Sequence, residues 1–484
     1  MRHLIGACVL LLGLTACDLS SINSPYTEQF EDESVLYSSF SIRPKHLDPA
    51  RSYSSSEAQF TAQIYEPPLQ YHYLKRPYTL IPLTANSLPT VNYYNAEGMR
   101  LDGEVKIQDI SYSIYEISIK SGIQYQPHPA FSRKNNGEFE YQELNDDELT
   151  TIKTLSDFKN TDSRELVAAD YVYQIKRLAH PDIHSPILSL MAEHIVGLTE
   201  FSQQLQQLKQ AGQRIDLQDF DISGVELIDK YRYQIKVKGK YPQLNYWLAM
   251  PFFAPMPWEA DLFYQQEGLK KKNISLDWYP VGTGPYYLTE NNPNRRMVLT
   301  KNPNFHGELY PSQGEKGDQA SGLLEDAGNE MPFINKVIFS LEKESIPLWN
   351  KFLQGYYDAS GINSDSFDQA IQVGGGGDFN LSKGMIEKNI ELKTAIETST
   401  FYMGFNMLDS VVGGYSERAQ KVRQAISIAI DYEEYISIFT NGRGTPAQGP
   451  IPPGMFGHIE GKEGINPYVY EWQNNVAKRK SIND

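Results

Sequence analysis

The stretch Val281-Gly282-Thr283-Gly284-Pro285-Tyr286-Tyr287 constrains this chain more than any other. Two glycines open backbone angles that are closed to other residues. Pro285 fixes one dihedral and removes a donor. The spacing predicts a tight, stiff turn between two extended pieces. An ordinary loop before a strand satisfies the turn alone. Its apolar, aromatic frame leads to a sharper expectation: Gly282, Thr283, Gly284 and Pro285 form the crossover between two lobes that close on a ligand.

A chain of 484 residues has room for two or three domains. Hydrophobic content of 40% and charged content of 21% are ordinary for a globular protein, so core-forming capacity is ample. The net charge of −16 excludes a broad nucleic-acid surface, because phosphate binding needs clustered Lys and Arg. The 32 tyrosines have two readings that both stay open. Tyrosine fits half-buried strands, and it lines binding surfaces with a ring and a hydroxyl.

At the N-terminus, Arg2 and His3 precede an apolar run from Leu4 to Leu14, followed by Thr15-Ala16-Cys17. A short apolar run behind a basic residue reads as a secretory signal over residues 1–16, too short to span as a mature helix. Leu-Thr-Ala-Cys resembles the lipobox of bacterial lipoproteins, which implies a lipidated Cys17. A plain signal with a chance cysteine is the alternative. Polar, acidic residues follow, so 17–34 is expected to be the lipidated cysteine and a tether. Asp18 directly after Cys17 resembles the signal that retains lipoproteins on the inner membrane. The expected location is therefore the periplasm, with a lipid anchor in the cell membrane. Cys8 and Cys17 are the two cysteines, so the mature body has neither a disulfide nor a thiol nucleophile and must rest on its core.

Along the body, Val35 to Phe40 is a strand candidate, and Glu57 to Leu69 has helical spacing up to Pro67-Pro68. Ile110 to Ile119 alternates as a strand or hairpin with one buried face. Ser132 to Ser163 is a polar surface insertion. Arg164 to His180 carries Val167, Tyr171, Ile175 and Leu178 at helical steps. Tyr231 to Val237 alternates and pairs with Val225 and Leu227 across Asp229-Lys230. Met297 to Thr300 and Phe401 to Met407 read as strands, and Ile346 to Leu353 as a helix. Val422, Ala425, Ile426, Ala429 and Ile430 form the strongest helical stripe, which runs on to Asn441-Gly442. Gly374 to Gly377 is a glycine loop without the Lys-Ser/Thr of a phosphate loop. The mixture of strands and helices predicts an α/β or mixed α+β fold.

Several motifs recur in order. They are Leu47-Asp48-Pro49, Ile64-Tyr65-Glu66-Pro67-Pro68-Leu69, Val167 to Tyr173 with Lys176-Arg177, the 281–286 turn, and Lys301-Asn302-Pro303-Asn304-Phe305. Phe405-Asn406-Met407, Val422-Arg423-Gln424-Ala425 to Asp431, and Pro450 to Gly454 complete the set. Each alone is unspecific, but the ordered set covers nearly the whole mature chain. It resembles the family 5 extracellular solute-binding proteins, the oligopeptide, dipeptide and nickel cluster that serves ABC importers. The resemblance implies a two-lobed periplasmic-binding-protein fold with an extra subdomain. The large lobe would span 35–285 with an inserted subdomain at about 58–194, and the second lobe 286–484. It further implies a monomer that captures peptides through strand pairing and hands them to an ABC permease and ATPase, with no cofactor and no enzymatic activity. Two departures stand out. Leu166-Val167 replaces the usual Thr or Ser cap, and the 132–163 insertion separates that helix from Gly122 to Tyr125. Family members also continue past the Pro-Pro-Gly segment and return to the large lobe. The second lobe is therefore expected to be incomplete, as in a C-terminal truncation that lacks the acidic residue for the ligand's α-amino group. The rival readings are a lipoprotein receptor or chaperone-like binder without a transporter, and a binder of nickel complexes or sugars.

The candidate ligand contacts are Tyr53, Ser54, Tyr125, His128 and Asn406. Tyr53 and Ser54 follow the Asp48-Pro49 turn, and Tyr125 and His128 lie where relatives place an aromatic wall. Asn406 is polar inside an apolar strand and reads more readily as a satisfied structural amide. Asp48 with Pro49 could line the cleft but reads first as a turn former, and Arg423 and Asp431 read as ion pairs or caps. His180, His184 and His194 are a conceivable metal cluster but read first as solvated helix-end histidines, and neither His-Glu-x-x-His nor a cysteine pair is present, so no metal site is expected. Neither a nucleophile elbow nor a Ser/His/Asp set is present, and catalytic residues are expected to be none.

Overall fold

The computed structural model describes residues 34–373 and 379–481. The signal, Cys17, its tether up to residue 33 and the Gly374 to Gly377 loop lie outside the described residues. Those residues form two compact units. Unit 1 holds the chain up to Leu74 and Leu80–Ser360, and unit 2 holds Lys75–Thr79 and the chain from Gly361.

Unit 1 contains a four-stranded sheet in the order β1-β13-β10-β9. Its strands are β1 (Val35–Phe40), β9 (Tyr286–Asn292), β10 (Arg296–Lys301) and β13 (Lys336–Leu341). β1 runs parallel to β13, with Val35 opposite Lys336, while β10 is antiparallel to both β13 and β9. The sequence reading ends the first lobe at Pro285, but the strands after that turn pair with the first strand of the body. The passage from unit 1 to unit 2 falls after Ser360 instead.

A second sheet has the order β5-β4-β6-β8-β7. It joins β4 (Thr90–Tyr94), β5 (Arg100–Leu101) and β6 (Tyr112–Ser118) to the hairpin of β7 (Val225–Asp229) and β8 (Arg232–Lys238). The β7–β8 hairpin is the one expected from alternation, with Val225 opposite Ile235. The sheet thus draws on residues beyond the expected 58–194 insertion. Ser113, Tyr115 and Ile117 of β6 are buried, as are Tyr233, Ile235 and Val237 of β8. That face meets helix α2 (Ala168–Leu178), where Tyr171 stacks on Tyr233 at 5.4 Å. Each large apolar side chain fully buried this way contributes roughly 1.5–3 kcal/mol.

Helix α2 solves its missing cap locally. Val167 is the N-cap, and the Asp170 carboxylate accepts its backbone N–H at 3.1 Å. Arg164 then clasps Asp170 through two bonds of 2.7 and 2.8 Å and Glu259 through two of 2.7 Å. The 132–163 insertion is not merely solvated. It holds a short helix, Asp146–Thr151, and Gln142 and Leu144 bond to Glu259 and Gln266.

Unit 2 has two short hairpins, Ile371–Val373 with Phe379–Leu381 (β14, β15) and Tyr470–Gln473 with Val476–Arg479 (β16, β17). It also has helices α5 (Glu417–Ala429) and α6 (Tyr432–Phe439). The expected single helix to Asn441 is interrupted because Asp431 caps a new one, accepting from the Glu434 N–H at 2.9 Å. The expected strand at Phe401 to Met407 does not form. Its apolar residues lack a covering layer among the described residues, and Phe401 and Tyr402 are 93% and 86% exposed.

Candidate ligand-binding site

The 281–285 turn is a clamp inside unit 1. The Gly284 N–H donates to the Ile64 carbonyl at 2.9 Å, where helix α1 (Ser55–Ile64) ends. Gln126 closes the other side. Its backbone N–H donates to the Gly282 carbonyl, its Oε1 accepts from the Gly282 N–H, and its Nε2 reaches Pro280. A Cβ on Gly282 would stand 1.9 Å from the Ile64 oxygen, and one on Gly284 would stand 2.7 Å from it. Neither glycine has positive φ. The glycines therefore serve close approach, not the unusual backbone angles that the sequence reading invoked. Thr283 is fully buried, and Asn302 ties the exit by donating to the Gly284 and Pro285 carbonyls.

The other candidates divide by exposure. Tyr53 is exposed and tilts its ring toward Phe252 at 6.2 Å. Ser54, also exposed, is the N-cap of α1 in a capping box with Glu57. Burial alone would raise the Glu57 carboxyl. Four backbone N–H groups, from Lys45, His46, Tyr53 and Ser54, hold it below the usual range instead.

Tyr125 and His128 are fully buried. The Tyr125 ring lies under the Arg164 guanidinium and beside Phe131. His128 accepts the Ala130 N–H at Nδ1, so its Nε2–H donates to the Tyr264 hydroxyl at 2.8 Å, which donates on to Tyr279. Burial pushes the His128 pKa down to about 3, so the ring stays neutral at physiological pH. Both residues brace the wall behind the turn. Asn406 lies in an exposed turn, where its Oδ1 accepts from the Leu408 N–H at 3.0 Å.

Asp48 does more than shape a turn. It accepts two bonds from the buried Arg177 guanidinium at 2.7 and 3.0 Å and one from the Ala50 N–H. Arg177 also donates to Asp261 at 2.9 Å. Burial raises the Asp48 carboxyl, and Arg177 outweighs it, leaving the pKa below its ordinary value. In unit 2, Arg423 donates to the Val412 and Gly414 carbonyls rather than to an acid. Among the described residues, His180, His184 and His194 belong to no metal-holding group, and His194 stacks on Tyr241 at 3.7 Å.

Two features escape sequence reasoning. Residues 391–405 form neither helix nor strand, and none of their backbone groups is hydrogen bonded to another described residue. They carry the exposed Ile396, Phe401 and Tyr402. In unit 1, Glu66 is buried against His306 at 2.9 Å. The signal for Glu66 was present, because a carboxylate between Tyr65 and Pro67-Pro68 is a costly residue to bury.

Comparison with known proteins gives a consistent answer. The model of the bacterial extracellular solute-binding proteins, family 5 middle region, matches residues 126–482. The periplasmic oligopeptide-binding protein OppA of Salmonella typhimurium is 21% identical over 408 residues, covering 83% of this chain and 61% of the relative. OppA of Escherichia coli is 24% identical over 282 residues, 56% of this chain and 46% of the relative. The chain thus spans less than two thirds of the length of these relatives. Among solved structures, the ABC transporter-associated periplasmic binding protein DppA of Helicobacter pylori, in complex with peptide STSA, aligns with TM-score 0.53 at 16% identity. That alignment covers 90% of this chain and 63% of the other. The murein tripeptide binding protein MppA of Escherichia coli gives 0.52 at 16%, with the same coverages. Burkholderia pseudomallei OppA gives 0.51 at 17%, covering 87% and 61%. At such identities the likeness is one of fold, the two-lobed periplasmic-binding-protein fold.

Proposed function

The chain belongs to the family 5 extracellular solute-binding proteins, and we propose that it captures oligopeptides in the periplasm for an ABC permease and ATPase. The observation that carries the peptide reading is the open main chain of 391–405. A peptide offers its own N–H and C=O groups in a row, and such a segment can pair with them without reading side chains. The exposed Phe401 and Tyr402 within it supply apolar cover for a bound chain. Tyr53 and Ser54 are exposed polar groups of unit 1 suited to ligand contact, and Asn406 is one of unit 2; Tyr125 and His128 are buried within unit 1.

The lipobox-like Leu14 to Cys17 supports a lipoprotein anchored at Cys17 after removal of 1–16. The protein acts as a monomer and without catalysis in this reading. Isothermal calorimetry of the chain with di- to pentapeptides, nickel complexes and sugars tests it. Saturable heat with peptides alone supports the proposal. Heat with sugar or nickel complex, and none with any peptide, would remove it.

A further inference from the structure

We infer that Glu57 is the positioning residue for Tyr53 and Ser54: its one buried carboxylate closes both ends of the 45–54 loop and so sets where these two groups stand. The consequence for binding rests on the reading of Tyr53 and Ser54 as ligand contacts. Glu57 lies in the first turn of α1 and is 4% exposed. Its Oε1 accepts the Lys45 and His46 N–H groups at 3.1 and 2.9 Å, where the loop begins. Its Oε2 accepts the Tyr53 and Ser54 N–H groups at 3.0 and 3.1 Å, where the loop ends. Each oxygen thus holds one end.

Four converging donors need a carboxylate. An ionised carboxylate has room for all of them and carries no donor of its own. A glutamine amide in its place would offer one oxygen and turn an NH2 group toward one of the two donor pairs. Buried donors that face another donor are costly, so at least one end of the loop would let go. A capping box explains why a helix starts at Ser55, but it involves only the Ser54 N–H. The bonds from Lys45 and His46 lie outside it, and they turn a helix cap into a clasp on the loop.

The other fastenings act elsewhere along the loop. Asp48 is held by Arg177, and the Leu47 carbonyl accepts from the Tyr65 hydroxyl at 3.0 Å. The Ser52 N–H returns to the Asp48 carbonyl at 2.8 Å. Arg51 donates to Asp277, and His46 Nδ1 stands 3.3 Å from the same carboxylate. These ties fix the middle of the loop. Beyond them, Glu57 is the partner that holds the Tyr53 main chain among the described residues. The Tyr53 ring is 71% exposed and only tilts toward Phe252. Ser54 Oγ lies 3.0 Å from Ser56 Oγ, and its direction follows from the same stretch of main chain. With the clasp closed, both groups are ordered before a solute arrives, which spares that cost on binding.

The test places fluorotyrosine at position 53 of the whole chain and reads its fluorine NMR line, with calorimetry of di- to pentapeptides beside it. In the wild type the ring near Phe252 should give one line displaced from that of free fluorotyrosine. Glu57→Gln should return the line at least halfway to the free position. It should also weaken peptide binding about fivefold or more, because the loop must then be ordered on binding. Gln59→Ala removes a bond from the same helix to Ser39 and should leave the line in place, which separates loss of the clasp from a general weakening of α1. If Glu57→Gln does not fold, hydrogen exchange on the wild type decides. The amides of Lys45, His46, Tyr53 and Ser54 should open together, as one unit. An unmoved line in folded Glu57→Gln, or protection at the two loop ends that differs by more than about tenfold, would overturn the role of Glu57. A moved line with unchanged peptide affinity keeps Glu57 as the positioning residue and removes Tyr53 as a ligand contact. An unmoved line with intact peptide binding removes the positioning role alone. No heat with any peptide removes the peptide reading, and the fluorine line still decides the role of Glu57.

Discussion

Helices α2 and α5 have similar apolar stripes and opposite fates. In α2 nearly every residue from Ala168 to Leu178 is buried, including Lys176 and Arg177. In α5 only Ala419 is buried, although Val422, Ala425, Ile426 and Ala429 hold the same spacing. The contrast extends to the units. One continuous core runs through unit 1 from Phe40 to Phe339. Unit 2 leaves Phe401, Tyr402, Leu408, Tyr415 and Phe456 at least 80% exposed. A stripe determines that a helix forms and which side it offers. Whether that side is dry depends on what else the chain places there.

Substitutions in matched pairs sharpen this difference. The largest effect is expected at Arg177, which is 1% exposed and holds Asp48 and Asp261. Arg177→Ala removes the cation shared by two buried carboxylates and should cost about 3–5 kcal/mol in urea unfolding. Its counterpart in unit 2, Lys421→Ala, breaks an exposed i,i+4 pair with Glu417 and should cost no more than about 0.5 kcal/mol. Phe263→Ala, at a fully buried ring, should cost about 3–5 kcal/mol. Phe401→Ala should stay within about 0.5 kcal/mol. Equal losses at Phe263 and Phe401 would break the comparison, because they would mean that Phe401 is covered in solution.

Glycine gives the next contrast. Gly282→Ala drives a methyl into the Ile64 carbonyl and should cost about 1–3 kcal/mol or more. Gly449→Ala meets nothing within 4 Å and should be silent in the same thermal melt. The last effect is a slope. His128 has a folded pKa of about 3 against about 6.5 when unfolded. Below pH 6.5 the unfolded chain takes up a proton that the native ring refuses, so stability falls as pH drops toward 3. The contribution approaches about 1.4 kcal/mol per pH unit. His128→Gln should flatten the urea midpoint between pH 6.5 and 4.5, and an unchanged slope would show that His128 is not buried as a neutral ring.

These residues also show what the sequence could and could not disclose. Strand β1, helix α2 and the β7–β8 hairpin follow from local periodicity, because alternation and 3.6-residue spacing are properties of neighbouring residues. Gly282 announced a tight turn, but its reason lies in the carbonyl of Ile64, more than two hundred positions earlier, which no local pattern reveals. The pairing of β13 with β1 across about three hundred residues is hidden from local pattern for the same reason. Tyr125 and His128 looked like a pocket wall because their residue types suit one. Their burial depends on Arg164, Phe131 and Tyr264, which only the fold brings near. Phe401 to Met407 has strand composition, but a strand also needs an edge to pair with. Glu66 was visible as an oddity, and its partner His306 was not.

The central claim is that the unpaired main chain of unit 2 receives a peptide, and hydrogen–deuterium exchange tests it directly. Without ligand, amides across 391–405 should exchange at nearly unprotected rates, while those of α2 and β8 exchange slowly. Adding saturating di- to pentapeptides should protect 391–405 and leave the core of unit 1 unchanged. Fast exchange in 391–405 that stays the same with every peptide, or strong protection there before any peptide is added, would contradict the account.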